Sequence, residues 1–230
     1  MALYQPSRIE VLDDLVAEVL HLYPRGRVLV GLDADPRVDW LDFAEALAAR
    51  FRKAGRDAVA ADIEGFARLV PAEDGLPDFA DLRERSEVLA AAADDYYTSG
   101  YDYALLRRAL IEPFRLGGST GFNTAVVDRL ANRQIVDPNW ITMDEDAVLI
   151  VAGPYLLREE LAGLWHWSAW LEYDGDESPE TPRSAEDLVR QHLLDGMQHY
   201  RRHRDPRKLA KATVDLTHPD TPARRYADSC

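Results

Sequence analysis

The chain has 230 residues, 47% of them hydrophobic and 30% charged. That is enough for one sizeable domain with its own core, and it excludes a disordered tail or a fibre. No apolar run approaches the roughly 18 residues of a membrane span. The only cysteine is the last residue, Cys230, which excludes an internal disulfide or a cysteine zinc site. Forty-one acidic against 27 basic side chains give a net charge of −14, a field that repels polyanions and makes nucleic acid a poor partner. The opening Met1-Ala2-Leu3-Tyr4-Gln5-Pro6 has no basic stretch leading into an apolar one, so a cytoplasmic protein without a secretory leader or membrane partner is expected.

In chain order, Ile9, Leu12, Leu15, Val16, Val19 and Leu20 have helical spacing and predict a helix over 8–22, closed by Pro24 and Gly26. Val28-Leu29-Val30-Gly31-Leu32-Asp33 is a short β-branched run that predicts a buried strand. Trp40, Phe43, Ala44, Leu47, Ala48 and Phe51 share one face of a helix over 40–54, with Gly55 following as a C-terminal cap. A second short strand is expected over 58–62, and strand, helix and strand at this spacing make a βαβ unit with a parallel sheet. An acidic helical stretch follows over 73–102, then a short helix over 103–111 ending at Pro113. Residues 122–127 suggest an edge strand or hairpin. Ala147-Val148-Leu149-Ile150-Val151 predicts a central parallel strand, 154–164 a helix with proline at its start, and 167–173 another strand. After an acidic loop over 174–182 come a long helix over 184–203, started by a capping-box-like Ser184 and Asp187, and a last strand over 212–216. Without a repeat or a low-complexity linker, a single three-layer α/β domain over 1–230 is expected.

Several islands of this sequence resemble the uridine-kinase-like P-loop nucleoside kinases. They are Val28 to Asp33 with Phe43-Ala44-Glu45-Ala46-Leu47, then Asp62-Ile63-Glu64-Gly65-Phe66, which is similar to that family's substrate-side motif S-x-D-x-F. Tyr96-Tyr97, Tyr101 to Leu106 and Gly117-Gly118-Ser119 resemble its middle segment. Ala147 to Leu157 resembles its Walker B strand, and Val214-Asp215-Leu216-Thr217 its final strand, so the likeness extends over about 27–217. The resemblance implies a P-loop NTPase-like fold with a mostly parallel sheet, Mg-ATP as the family's cofactor, and a nucleoside-sized cleft near Asp62, Glu64, Tyr97, Tyr101 and Arg129. Glu64 falls at the place of the family's general-base aspartate.

The phosphate-handling residues of that family depart from its pattern. In the eight places of G-x-x-x-x-G-K-[ST] stand Ala34, Asp35, Pro36, Arg37, Val38, Asp39, Trp40 and Leu41. Backbone N–H groups, a lysine and a hydroxyl do the phosphate and Mg²⁺ work in such a loop. Here both glycines are absent, Trp40 takes the lysine's place, Leu41 the hydroxyl's, and Pro36 lacks an N–H. Asp35 and Asp39 add negative charge, each costing about 1 kcal/mol against a phosphate at ~4 Å even in water. The first lysine in the chain is Lys53, so a shifted alignment supplies none. Ala152 stands where the resemblance places the Walker B acid, Ser99 at a substrate-side acid, Phe122-Asn123 at an aromatic-arginine pair, and Val127-Asp128-Arg129 at Phe-Asp-His. The arginine-rich lid is matched by the acidic 174–180 segment.

These substitutions predict a degenerate kinase-like protein that binds no Mg-ATP and works on a small ligand or a protein partner, an active paralogue or a second copy of itself included. The alternative is an enzyme of changed chemistry, with Glu64 as its acid/base. A working nucleoside kinase ranks last. Glu64, a carboxylate flanked by Asp62, is expected to have a raised pKa because two like charges resist joint ionisation, which would suit it to proton transfer. Asp33 reads as a cap or turn residue. His192, His199 and His203 recur along one helix, but without a third ligand nearby no metal site is expected. Arg201-Arg202-His203-Arg204 with Arg207 and Lys208 is the one basic cluster. It could meet an anion, although a basic helix end complementing the helix dipole explains it without one. Trp165, Trp167 and Trp170 read as core packing.

Overall fold

The structure is a computed structural model that describes residues 6–69, 97–175 and 185–226, with side chains of the last stretch from residue 190 onward, His192 excepted. The acidic stretch up to Tyr96, the loop beyond Gly175, the Ser184–Asp187 cap, His192 and Cys230 therefore lie outside the described residues.

Helix α1 (Arg8–Leu22) starts on a capping box in which Ser7 and Glu10 satisfy each other's backbone N–H groups. Helix α2 (Trp40–Lys53) starts on Asp39, whose carboxylate accepts from Asp42 N at 3.0 Å. The strands β1 (Val28–Ala34), β2 (Asp57–Asp62), β3 (Ala147–Gly153), β4 (Trp167–Glu172), β5 (Ala212–Asp215) and β6 (Ala223–Arg225) form one sheet in the order β6-β5-β4-β1-β3-β2. All its pairings are parallel except β5 with β6. The fold class and the central places of the runs beginning at Val28 and Ala147 are as the sequence implies.

Both central strands are buried along their whole length because each face of the sheet is covered. Val28, Val30, Leu32, Val148, Ile150 and Ala152 pack with α1 and α2 through Leu15, Leu47 and Phe51. The alternate residues Leu29, Leu149 and Val151 pack on the other face, with Leu110, Phe114, Leu193, Met197 and Trp170. Trp167 joins the first layer and Trp170 the second, with Trp165 partly buried against the second. The long helix α4 (Ala185–His203) covers the second face. No helix among the described residues is long and apolar enough to cross a membrane.

Four elements differ from the sequence-based expectation. The helix from Tyr103 (α3) does not end at Pro113: it runs through Tyr103–Leu106, widens into a π segment over Arg107–Ile111 and continues over Glu112–Leu116. The wide turn re-registers the backbone bonds, so Pro113 sits at the start of a fresh turn where its missing N–H is no loss. Residues 154–164 form turns with only a 3₁₀ turn over Glu159–Leu161. The Asp33 carboxylate accepts from Leu156 N at 3.1 Å and Leu157 N at 3.4 Å, and Tyr155 has φ +66°, which together divert this segment from a helical ladder. The 122–127 stretch is two separate ribbons, Phe122–Asn123 with Trp140–Ile141 and Val127–Asp128 with Arg133–Gln134, both outside the main sheet. Finally, β5 is not the last strand, because β6 turns back along it with Arg225 ion-paired to Asp215 at 2.5 Å.

Candidate functional site

Parallel strands bring β1, β3 and β2 to a common carboxyl edge, where ligands bind in open α/β sheets. β2 ends at Asp62 and the chain turns through a 3₁₀ segment, Ile63–Phe66. Asp62 starts that turn by accepting from Glu64 N at 3.0 Å. Gly65 allows the close approach that follows: a Cβ there would lie 2.6 Å from Ala125 Cβ. With Val126 N donating to Gly65 O at 3.0 Å, this contact docks the ribbon of Val127–Asp128 and Arg133–Gln134 against the turn. Arg129, at the tip of that ribbon, ion-pairs with Glu64 Oε2, the two side chains being 13% and 19% exposed. Tyr101 reaches the same carboxylate from the other side. Its segment bridges Ala67, and its hydroxyl donates to Glu64 Oε1. The Arg129 guanidinium lies 5.5 Å from the Tyr101 ring centre.

Asp62, Glu64, Tyr101 and Arg129 thus form one cluster. Burial above all, with the charge of Glu64 beside it, pushes the Asp62 carboxyl up to about 6. Burial also raises the Tyr101 phenol well above its usual range, so it serves as a neutral donor. Tyr97 is placed elsewhere. Its ring packs against Tyr155, His199 and Tyr200 at 5.3, 5.0 and 5.8 Å, under the Arg158 guanidinium at 4.7 Å.

On the β1 side the loop over 34–41 is occupied by its own side chains. Ala34 and Asp35 are fully buried, and Asp35 N continues the sheet by donating to Leu171 O at 2.9 Å. The Asp35 carboxylate accepts from Arg37 N at 3.0 Å and from Arg37 Nε and Nη2 at 2.8 and 2.9 Å. A second guanidinium, from Arg201 of α4, reaches it at 3.0 Å. Val38 is buried, and Trp40 turns its indole across the edge to donate Nε1–H to Asp62 at 3.1 Å. Gly153 ends β3 with φ +135°, and a Cβ there would lie 2.3 Å from Ile63 Cγ2 and 3.6 Å from Trp40 Nε1. Ala152, buried between Leu32 and Asp62 in register, presents only a methyl group to the core.

Asp33 lies one residue deeper. It is fully buried, accepts from Tyr200 Oη at 2.5 Å, and is pushed up to about 7 by burial. With its bonds to Leu156 and Leu157 it ties β1 to the 154–164 turns and to α4, the turn-holding role its position suggests. His199 and His203 stack at 4.5 Å, and no cluster of potential metal ligands occurs among the described residues. The residues sequence reasoning missed here are Asp35 with Arg201, Tyr200 and the buried Arg158. Arg201 belonged to the basic cluster, but nothing in the spacing linked it to Asp35.

No protein-family model matches this sequence, and no curated protein matches it significantly. Solved structures do match in fold. One is described as a possible uridine kinase from Bacillus stearothermophilus, with TM-score 0.63 and 14% identity over 89% of this chain and 97% of that one. A protein named as a fructose transport system kinase from Silicibacter sp. TM1040 gives TM-score 0.51 and 22% identity over 81% and 88%. A D-glycerate 3-kinase from Cryptococcus neoformans var. grubii gives 0.51 and 9% over 85% and 88%. The chain has an α/β fold similar to that of these kinases.

Proposed function

We propose that this chain keeps the kinase fold without phosphoryl transfer and works by binding a small hydroxyl-bearing ligand in the cleft around Glu64. The observation that carries the reading is the occupancy of the phosphate side by the chain itself: Asp35 held by Arg37 and Arg201, and the Trp40 indole bonded to Asp62. The residues there do not fit Mg-ATP. A buried carboxylate replaces phosphate-facing backbone donors, Trp40 and Leu41 offer neither an ammonium nor a hydroxyl, and Ala152 offers no oxygen to a metal. These departures act on different parts of one transition state, so none compensates for another.

The substrate side, by contrast, holds a carboxylate, a phenol and a guanidinium with hydrogen-bonding capacity matched to a sugar or polyol. Glu64 and Arg129 are the pair to exchange bonds with ligand hydroxyls, and Asp62 can hold or release a proton near pH 6. Use of that proton in an acid/base reaction is the second reading, and it rests on the raised Asp62 carboxyl.

Isothermal titration with Mg-ATP tests the first claim. No saturable heat is expected at millimolar nucleotide, and a micromolar dissociation constant would overturn it. A thermal-shift screen of nucleosides, polyols and sugar phosphates tests the second, because a ligand at a hundred times its dissociation constant stabilises by about 2.7 kcal/mol. A stabilising compound whose effect ignores Glu64 and Arg129 substitutions would place the working surface elsewhere.

A further inference from the structure

On the α4 face of the sheet, away from the Glu64 cluster, a cavity of about 180 Å³ is lined by Trp170, Arg201, Asp205, Pro206 and Arg207. Three of these five side chains are hydrogen-bond donors with capacity to spare. Trp170 is completely buried in β4, and its indole Nε1–H has no hydrogen-bond partner among the described residues. Burying such a donor without an acceptor is destabilising. Among the described residues, the Arg201 side chain hydrogen-bonds only Asp35 and that of Arg207 only Glu172, so most of their N–H groups are uncommitted. The Arg201 guanidinium lies 5.2 Å from the Trp170 ring centre, which fixes it over the cavity wall. The single acid on the lining, Asp205, is paired with Lys208 at 3.1 Å.

A partly open cavity lined by two guanidiniums, 41% and 59% exposed, beside a buried indole N–H is complementary to an oxygen-rich anion. We propose that this cavity is a binding site for a tetrahedral oxyanion, phosphate or sulfate, free or as the terminus of a small ester. The anion takes N–H groups from Arg201 and Arg207 and satisfies Trp170 Nε1. Donors from β4, α4 and the turn after it converge from three elements, an arrangement that suits three or more oxygens better than the two of a carboxylate. The cavity shares Arg201 with the Asp35 contact described above, whereas Trp170 and Arg207 line this cavity and not the one beside Asp35.

Titration of the full chain with sodium phosphate, sodium sulfate and sodium acetate at matched ionic strength tests this by calorimetry. Saturable binding of phosphate or sulfate is expected, with acetate weaker. Arg201→Gln and Arg207→Gln should each weaken it by about tenfold or more. Trp170→Phe keeps an aromatic ring at that place and removes the donor together with part of the buried side-chain volume, so it should weaken binding several-fold, with the melting temperature of the variant read alongside. If Trp170→Phe fails to fold, Arg207→Gln, at a side chain 59% exposed, keeps the test open. Absence of saturable binding, phosphate binding unaffected by Trp170→Phe and Arg201→Gln, or acetate binding as tight as phosphate would each overturn the proposal.

Discussion

At the carboxyl edge of the sheet, the loop after β1 and the turn after β2 are joined by a single indole, Trp40, yet they are filled in opposite ways. After β1, a buried carboxylate faces inward and two arginines close on it from within the chain. After β2, Glu64 and Arg129 meet at a partly open surface, with a tyrosine hydroxyl as the third partner. Both regions contain an Arg–carboxylate contact. In the first, the carboxylate is sealed at 1% exposure; in the second, it keeps 19%. A sealed carboxylate acts as packing, whereas a partly open one can trade a bond with a ligand, so the access of the carboxylate separates the two more than residue type does.

The largest test of this contrast is pH. Asp33 on the β1 side is raised from 3.8 to about 7 and Asp62 on the β2 side from 3.8 to about 6. Each holds its proton more tightly folded than unfolded. Its contribution to stability is therefore complete below about pH 4 and is lost as pH rises through its folded value. For Asp33 the loss is on the order of 4 kcal/mol between pH 4 and 8. Urea denaturation across that range should show a steeper fall for the native chain than for Asp33→Asn, with Asp62→Asn intermediate. Equal slopes for all three would break the assignment.

Next in size is the sealed pair. Asp35→Ala strands Arg37 and Arg201 and should cost about 2 kcal/mol or more, read as a lower melting temperature. Arg201 is 41% exposed and can rehydrate, which limits the loss. A change within a few tenths of a kcal/mol would mean that the β1 loop is not held shut by this carboxylate. The smallest effect on stability, and the most specific to function, belongs to Glu64→Gln. The amide leaves Tyr101 an acceptor but sets an NH2 group against Arg129, which is 13% exposed, so stability should fall by about 1 kcal/mol. The affinity for a ligand identified by thermal shift should fall at least ~10-fold, roughly 1.4 kcal/mol. Unchanged affinity would show that the open side is as inert as the sealed one.

Elements set by local pattern were legible in the sequence. The apolar spacing and caps of α1 and α2 locate those helices within a residue, and the β-branched runs at Val28 and Ala147 mark the two central strands. The segment after Gly153 misleads because it has an apolar pattern and an initial proline, while the deciding contact is a carboxylate more than a hundred residues earlier, Asp33. Pro113 misleads because the π turn that accommodates it has no periodic signature. At the site, Asp62 and Glu64 stand out through their place in a motif-like segment. Arg201 on Asp35 does not, since the two are separated by 166 positions and their meeting depends on how α4 crosses the sheet.

The strand order has a consequence for how this chain reaches its native state. Among the described residues, β1 pairs only with β3 and β4, and β2 pairs only with β3. β1 and β2, though joined by α2 within the first 62 residues, never touch as strands, because β3 is inserted between them. No ladder of the main sheet can therefore form until Ala147–Gly153 has left the ribosome. Until then the nascent chain has two apolar strands with open edges, a state that invites aggregation or chaperone capture. Pairings such as Val28 with Val148 also close loops of more than a hundred residues, which places folding among the slower, non-local class.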